Sequence, residues 1–282
     1  MPLVTLDALT LRSQHYSETS RIVSFYSREQ GLVKGIAKGA RGKRGRFAAS
    51  LEPLQRVRVT LAVKETRDLQ TVTQADLLHP FPGLREDLFR VTYAQACAEL
   101  LGRLVWREHP SEEVFDLLLV VLRTMEEDIG DPELLFFAFQ AHLARLLGYG
   151  VETDRCAVCG GDLEGGGTFH YPQGAVACAS CYVEGGAGMP LDGETADLVR
   201  RLSRPDGAAA AAGLTPDAGV RRRTERLLRR HLEYHTETDL GLKALKVSES
   251  LRRYGAPAGS GAGEGTEHDG DAPTDAVKRG LD

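Results

Sequence analysis

Four of the five cysteines lie in two C-x2-C pairs, and eighteen residues separate the pairs: Cys156, Cys159, Cys178 and Cys181. This spacing is typical of a zinc ribbon or knuckle. Each pair can place two thiolates on one side of a tight turn. Between the pairs, Phe169 and Tyr171 precede the turn residues 172–174, which predicts a hairpin that returns the second pair to the first. Four thiolates then complete a tetrahedron, so we expect one structural Zn²⁺ per chain.

The same cysteines have two alternative roles, in a catalytic zinc site or in a redox dithiol. A catalytic zinc would need an open coordination position and a neighbouring acid or base, and no H-x-E element of the deaminase type precedes the pairs. A redox dithiol is the third possibility. Because four thiolates saturate the ion, the ligand count favours the structural site over both. The clustering also indicates a reducing compartment rather than a disulfide framework.

The composition is that of a globular chain. Its 282 residues, of which 42% are apolar, suffice for two modest domains with real cores. The N-terminal segment lacks a basic region followed by an apolar one, and no run of about 18 apolar residues occurs. We therefore expect a cytoplasmic protein.

Residues 3–78 follow a period of two. Val57, Val59 and Leu61 alternate with Arg58 and Thr60, as a strand with one buried face requires. The candidate strands are Val4–Arg12, Arg21–Ser27, Leu32–Lys38, Gln55–Lys64 and Leu69–Gln74. Five short strands within residues 1–79 predict a small barrel or sandwich.

After Pro80 and Pro82 the apolar residues recur every three or four positions, which predicts buried helices. Asp131 is a plausible N-cap for the third of them. The predicted helices are Leu84–Trp106, Val114–Met125, Leu134–Leu147, Glu194–Ser203 and Asp217–Tyr254.

The glycine-rich residues 151–188 hold the cysteines and are expected to interrupt a helical domain formed by residues 80–150 and 189–254. Within that domain Ala208–Ala212 is predicted to be a turn or linker. Residues 255–282 lack apolar periodicity and predict a disordered acidic tail. The expected fold class is therefore an α+β multidomain protein.

A basic, glycine-rich stretch covers residues 31–47. The net charge of the chain is -5, yet residues 1–80 carry 13 basic and 7 acidic side chains. Spaced glycines allow backbone amides and cations to follow a phosphate chain closely. A P-loop is excluded because Gly42 and Lys43 are followed by Arg44. Nucleic-acid binding and a merely solvated loop both remain open, and the candidate DNA contacts are Lys34, Lys38, Arg41, Lys43, Arg44 and Arg46.

Residues 220–235 predict an amphipathic helix with Leu227, Leu228 and Leu232 as its apolar stripe. Its arginines fit either phosphate contact or solvation, and we expect Arg222, Arg223 and Arg226 to help bind DNA. His231 and His235 do not form an HExxH motif and are expected to be packed or solvated. Cys97 is expected to be a core residue.

Four parts of the sequence resemble the bacterial DNA repair protein family RecO. Residues 6–45 resemble its N-terminal signature, residues 77–101 resemble the entry into its helical domain, and the cysteine pairs resemble the zinc module of many members. Residues 220–235 resemble its C-terminal helix. The resemblance covers nearly everything to about Tyr254 and implies an N-terminal OB-fold and a helical domain interrupted by a four-cysteine zinc module.

The resemblance also implies a function and partners. Members bind single- and double-stranded DNA at the nucleoid, anneal strands without ATP, and act with RecR and the C-terminal tail of single-stranded DNA-binding protein, with RecA loading as the outcome. Arg123 and Arg145 are candidate cations for that tail, with Glu126 as a competing partner. Two other classes stay open: a zinc-dependent hydrolase or deaminase, and a zinc-containing adaptor that does not touch DNA.

The first 80 residues hold four aromatic residues, Tyr16, Phe25, Tyr26 and Phe47. Because so few bases could be stacked on them, we expect backbone electrostatics to outweigh base stacking on the barrel.

Overall fold

The computed structural model describes residues 1–40, 47, 50–105, 110–163, 165–182 and 187–255. The strands are β1 (Leu3–His15), β2 (Arg21–Ser27), β3 (Gly31–Ala37), β4 (Arg56–Ala62), β5 (Leu69–His79), β6 (Gly167–His170), β7 (Ala175–Ala177) and β8 (Gly188–Leu191). The helices are α1 (Leu88–Leu104), α2 (Glu112–Glu126), α3 (Pro132–Leu146), α4 (Gly193–Leu202), α5 (Gly207–Ala210), α6 (Ala218–Thr236) and α7 (Lys243–Gly255).

The first five strands close into a barrel in the order β1-β2-β3-β5-β4. β3 and β5 are parallel, and the other neighbours are antiparallel. This is an OB-like barrel, which confirms the predicted fold and decides for a barrel over a sandwich. Val57, Val59 and Leu61 fill its interior, as their alternation predicts. A side chain at Gly35 would meet Val72, because its Cβ would lie 2.7 Å from Cγ2 of that valine.

The helices form a second core, which the cysteine module shares. α1, α2 and α3 pack on one another, α6 packs on α3 and α4, and α7 packs on α1. Phe169 and Val176 of the module are fully buried in the same cluster. Cys97 is fully buried in α1, and Asp131 accepts a hydrogen bond from the Glu133 amide at 2.8 Å, so both predictions are confirmed.

The first predicted helix begins later than expected. Phe81 adopts a left-handed conformation, a short 3₁₀ turn follows at Pro82–Arg85, and α1 begins only at Leu88. Asp87 caps it by accepting from the amides of Phe89 and Arg90 at 2.8 Å. The spacing of apolar residues did not indicate this cap. Asp87 satisfies the first amides of α1, which would bond within the helix if it continued from Leu84. Trp106 lies outside the described residues.

The last predicted helix, 217–254, is two helices. Glu237 has φ 49°, so α6 ends at Thr236 and α7 begins at Lys243. Arg103 holds the turn between them by donating to the carbonyls of Asp239 at 2.8 Å and Gly241 at 3.2 Å. Arg103 belongs to α1, so the break between α6 and α7 depends on a tertiary contact.

The predicted linker at Ala208–Ala212 is also corrected. It forms α5 and a 3₁₀ turn at Ala211–Gly213, with Gly207 and Ala211 buried. A Cβ at Gly207 would lie 2.1 Å from the Leu202 carbonyl oxygen, so close packing determines this segment.

The barrel rests on the helices through an apolar seam. Leu9, Leu11, Tyr26 and Leu54 belong to the helical core cluster. Among the described residues, every helix is too short or too polar to cross a bilayer. The predicted acidic tail falls outside the described residues, apart from Gly255 at the end of α7.

Candidate metal centre and nucleic-acid interface

The four predicted metal ligands meet in space. The Sγ atoms of Cys156, Cys159, Cys178 and Cys181 all lie within 4.8 Å of one another. The Cys159 and Cys178 sulfurs are 3.8 Å apart. Four sulfurs at about 2.3 Å from one tetrahedral ion lie roughly 3.8 Å from each other. The donor set therefore fits one thiophilic cation.

Two turns present these sulfurs. The Cys156 amide donates to the Gly161 carbonyl and the Gly160 amide donates back to the Cys156 carbonyl, both at 2.9 Å. The second pair closes in the same way, because the Cys181 amide donates to the Cys178 carbonyl at 3.0 Å. Each C-x2-C pair thus folds both thiols onto one side of a turn.

The electrostatics of the cluster favour a cation. The Cys156 sulfur accepts from the Cys178 amide at 3.3 Å, and the amides of Cys159 and Val158 add to this, so the pKa of Cys156 falls to about 6. Interactions with the neighbouring thiols, that of Cys159 first, raise the pKa of Cys181 to about 12. A bound cation would offset this rise in the pKa of Cys181, because thiols that coordinate a metal ion are deprotonated.

The module is fixed by its hairpin and by α6. β7, β6 and β8 form a three-stranded sheet, and Phe169 and Tyr171 precede its turn as predicted. Two histidines on α6 bind backbone carbonyls of the module and of the segment leading into it: His231 Nε2 lies 2.7 Å from the Tyr149 oxygen, and His235 Nε2 lies 2.8 Å from the Tyr171 oxygen. Both are packed, which decides between the packed and the solvated arrangement that the sequence left open. Burial lowers the pKa of His231 to about 4, so His231 is neutral near pH 7.

Two predicted DNA contacts lie on the outer surface of the barrel. Lys34 and Lys38 are exposed, and neither forms a salt bridge within the part of the chain that the structure describes. The other four predicted contacts of this stretch, Arg41, Lys43, Arg44 and Arg46, lie outside the described residues.

Strand register adds a cation that the sequence argument missed. Arg12 of β1 pairs with Ser24 of β2, and Ser24 pairs with Lys34 of β3. Arg12 and Lys34 are exposed, so one row across three strands carries two cations with a small residue between them. A register shift between Thr10 and Arg12 breaks the simple alternation of β1, which is why the period of two did not identify Arg12.

The barrel has little surface for base stacking. Phe25, Tyr26 and Phe47 are buried, and Tyr16 is exposed. This supports the expectation that charge dominates there.

The three predicted arginines of α6 differ in their surroundings. Arg222 and Arg226 are exposed. Arg223 is held by Asp192, with Nε 2.5 Å from Oδ2, and donates to the Thr195 hydroxyl at 3.0 Å. Its contact with DNA stays a prediction, and it would require release of this ion pair.

The two arginines predicted to bind a protein tail lie at different ends of a helical hairpin. Arg123 is near the end of α2 and Arg145 near the end of α3, about 20 Å apart for helices joined by a short loop. Arg145 lines a cavity of about 150 Å³ with Arg200 and Arg204. Glu126 is bound to His79 at 2.7 Å.

A closed five-stranded barrel with a cationic outer row is joined to a helical body that carries four clustered cysteines. These features define a class: OB-barrel proteins with a four-cysteine module that could hold a metal ion. Comparison with known proteins narrows this class. The family model "Recombination protein O N terminal" matches residues 1–81, and "Recombination protein O C terminal" matches residues 85–244.

Three relatives share the name "DNA repair protein RecO". The protein of Pelotomaculum thermopropionicum is 36% identical over 94% of this chain and all of the relative. Those of Symbiobacterium thermophilum and Rubrobacter xylanophilus are 31% and 35% identical over 90% and 83% of this chain, and over 94% and 93% of the relatives. The chain belongs to the RecO family of bacterial DNA repair proteins.

Proposed function

We propose that this protein is a recombination mediator in DNA repair and not an enzyme. It binds single- and double-stranded DNA and anneals complementary strands without ATP. Together with RecR, it loads RecA onto DNA coated by single-stranded DNA-binding protein. Its place is the cytoplasm, at the nucleoid.

The observation that carries this proposal is the cationic row on the barrel. Arg12 and Lys34 flank Ser24 across β1, β2 and β3, and Lys38 extends the charge beyond β3. An OB-fold binds oligonucleotides on the face of β2 and β3. Exposed cations without carboxylate partners in the described residues can neutralise phosphates. Because Ser24 is small, the phosphate backbone of a DNA strand can approach the sheet between Arg12 and Lys34.

Further DNA contacts are assigned to the predicted arginines. Arg41, Lys43, Arg44 and Arg46 continue the basic stretch that begins at Lys34. Arg222 and Arg226 are exposed on α6, and we assign Arg223 a smaller contribution because Asp192 holds it.

We propose Zn²⁺ as the resident ion of the four-cysteine centre. Zinc prefers four thiolates in structural sites, and four thiolates leave no position for a reactive water. Cys156, Cys159, Cys178 and Cys181 would hold it, and its role is to fix the hairpin against α6. A purified sample should contain one zinc per chain by elemental analysis.

The acidic tail of the single-stranded DNA-binding protein is assigned to the surface around Arg145. The small cavity there is lined by Arg145, Arg200 and Arg204, which can bind a carboxylate, and also by Glu152 and Asp154. The tail would therefore compete with Asp154 for Arg200. Arg123, about 20 Å away, would meet only a longer segment of the tail.

The test follows annealing of complementary oligonucleotides by the full chain with ATP omitted. Lys34→Gln with Lys38→Gln should weaken DNA binding for all sequences alike. It should also make the slope of log affinity against log salt shallower by roughly 0.7 to 0.9 for each contact. Lys243→Gln with Lys246→Gln removes the same charge from exposed positions on α7 and should leave the slope unchanged. An absolute requirement for ATP, or equal slopes for the two variants, would overturn the proposal.

A further inference from the structure

The arginines of α6 fall into two groups. Three are neutralised by carboxylates. Arg221 Nη1 lies 2.6 Å from Asp131 Oδ2, Arg223 is bound to Asp192, and Arg229 Nε lies 2.8 Å from Glu225 Oε1. The other three, Arg222, Arg226 and Arg230, are exposed, and none of them forms a salt bridge with any residue that the structure describes. The same helix thus separates its paired charges from its unpaired ones.

The unpaired arginines form a line. Residues four apart lie on one helix face, about 6 Å along the axis from each other. The next position on this line is Tyr234, a residue that is 47% exposed. We name Arg222, Arg226, Arg230 and Tyr234 the α6 stripe. Like charges at this spacing disfavour a helix, so the arrangement is unfavourable for the protein alone and becomes favourable with a polyanion.

Tyr234 is held as a rigid platform. Its ring is stacked on Tyr171 with centroids 6.3 Å apart, and it meets His235 edge-on at 5.2 Å. His235 is itself stacked on Tyr149 at 4.6 Å and bound to the Tyr171 carbonyl. Burial raises the pKa of Tyr171, and the charges of Arg230, Arg226 and Arg229 oppose that rise. The cysteine hairpin therefore supports an exposed aromatic ring at the end of a cationic line.

We propose that the α6 stripe is a second binding site for single-stranded DNA, separate from the barrel row. The inference rests on the proposed function, because it takes DNA as the ligand, and it adds that two strands are held at once. α6 packs on α3 and α4, whereas the barrel row lies on β1–β3. One strand on each surface would bring complementary strands together on one molecule.

The chemistry of the stripe favours a nucleic acid strand over an acidic peptide. Three guanidinium groups can follow successive phosphates, and the Tyr234 ring can stack on any base, which makes binding independent of sequence. Peptide recognition commonly adds apolar pockets to charge, and the stripe contributes no aliphatic side chain.

The experiment measures how many strands the full chain holds. Two non-complementary thymidine oligonucleotides, one with a donor and one with an acceptor fluorophore, should give energy transfer when both are bound to one protein molecule. Arg226→Gln with Arg230→Gln should abolish most of the transfer while one strand stays bound, and should lower the salt slope by about 1.4 for two lost contacts. Tyr234→Ala should weaken the second strand without changing the salt slope.

The matched control is Arg221→Gln with Arg229→Gln, which removes the same charge from paired positions on the same helix and should retain the transfer. Circular dichroism verifies that every variant is folded. Equal loss in both double variants would overturn the proposal, as would a wild-type protein that holds one strand only. Loss of an acidic peptide but not of the second strand in Arg226→Gln with Arg230→Gln would also overturn it. Absence of any DNA binding by the wild type would instead overturn the proposed function itself.

Discussion

The barrel and the cysteine module are stabilised in different ways. The barrel closes all its strands on one another and fills its interior with its own side chains, among them Phe25, Val59 and Leu61. The module has three short strands, and its buried residues Phe169 and Val176 belong to the core of the helices. A barrel without open edges needs no ligand, whereas the module brings four cysteines together and packs on α6, so we expect its folding to depend on both. We therefore expect a substitution in the barrel core to destabilise the barrel, and loss of a cysteine to unfold the module while the barrel stays folded.

The largest effect is expected from loss of the metal ligands. Replacing Cys156 and Cys178 with Ser should release the metal and unfold the module, because metal binding free energy, on the order of 10 kcal/mol for small zinc modules, is folding free energy there. Hydrogen exchange by mass spectrometry should show faster exchange of amides in residues 151–182. Barrel amides should exchange as in the wild type.

The control is Cys97→Ala, which removes a thiol that is fully buried in α1 and outside the cluster, and which should retain the metal. Unchanged protection of the module in the double Ser variant would contradict its dependence on the metal.

The barrel should respond to loss of packing instead. Phe25 is fully buried in the barrel core, and Phe25→Ala should lower the free energy of unfolding by about 3 to 5 kcal/mol through lost contacts and a cavity. Chemical denaturation measures this, and hydrogen exchange should localise the change to β1–β5. If the module lost protection to the same extent as the barrel, the two regions would form one cooperative unit.

The third prediction is a pH dependence of the module. Folding lowers the pKa of His231 from its ordinary value near 6.5 to about 4, because the ring is buried and because the charge of His235 lies beside it. The unfolded chain therefore binds more protons between these values. The contribution is complete above pH 6.5 and is lost as the pH falls towards 4, by about 3 kcal/mol in total.

This loss is measured as the difference between wild type and His231→Gln across that range. Glutamine can still donate to the Tyr149 carbonyl but does not titrate, so the variant also corrects for proton uptake by the thiolates. Parallel pH profiles of the two proteins would show that His231 does not set the dependence.

Local patterns in the sequence predicted those structural features that depend on residues close together in the chain. Alternation predicted the barrel strands, and the spacing of Cys156, Cys159, Cys178 and Cys181 predicted that the four sulfurs meet. The break between α6 and α7 was missed because its stabilising partner, Arg103, lies on α1. The sorting of arginines on α6 depends in the same way on Asp131 and Asp192, which lie far away in the sequence.

Only part of the cationic row on the barrel was predicted from the sequence. Lys34 and Lys38 were identified from a basic stretch, whereas Arg12 joins them through strand register and a register shift in β1. The platform around Tyr234 was also missed, because its rings come from α6, from the hairpin and from the segment before it. Aromatic residues counted within one domain do not show such a cluster.

The smallest effect is expected from the ion pairs at the seam between the barrel and the helices. Arg28 of the barrel meets Asp116 and Glu112 of α2, but these carboxylates are 51% and 72% exposed. Water and salt screen such pairs, so Arg28→Gln should lower the free energy of unfolding by at most about 1 kcal/mol, and less at high salt. Leu9→Ala, at a fully buried contact of the same seam, should cost about 2 to 5 kcal/mol at any salt concentration. Denaturation at low and high salt distinguishes the two. A larger, salt-sensitive loss for Arg28→Gln would mean that charge rather than apolar packing fixes the barrel on the helices, and the barrel would then be less independent than its closed core implies.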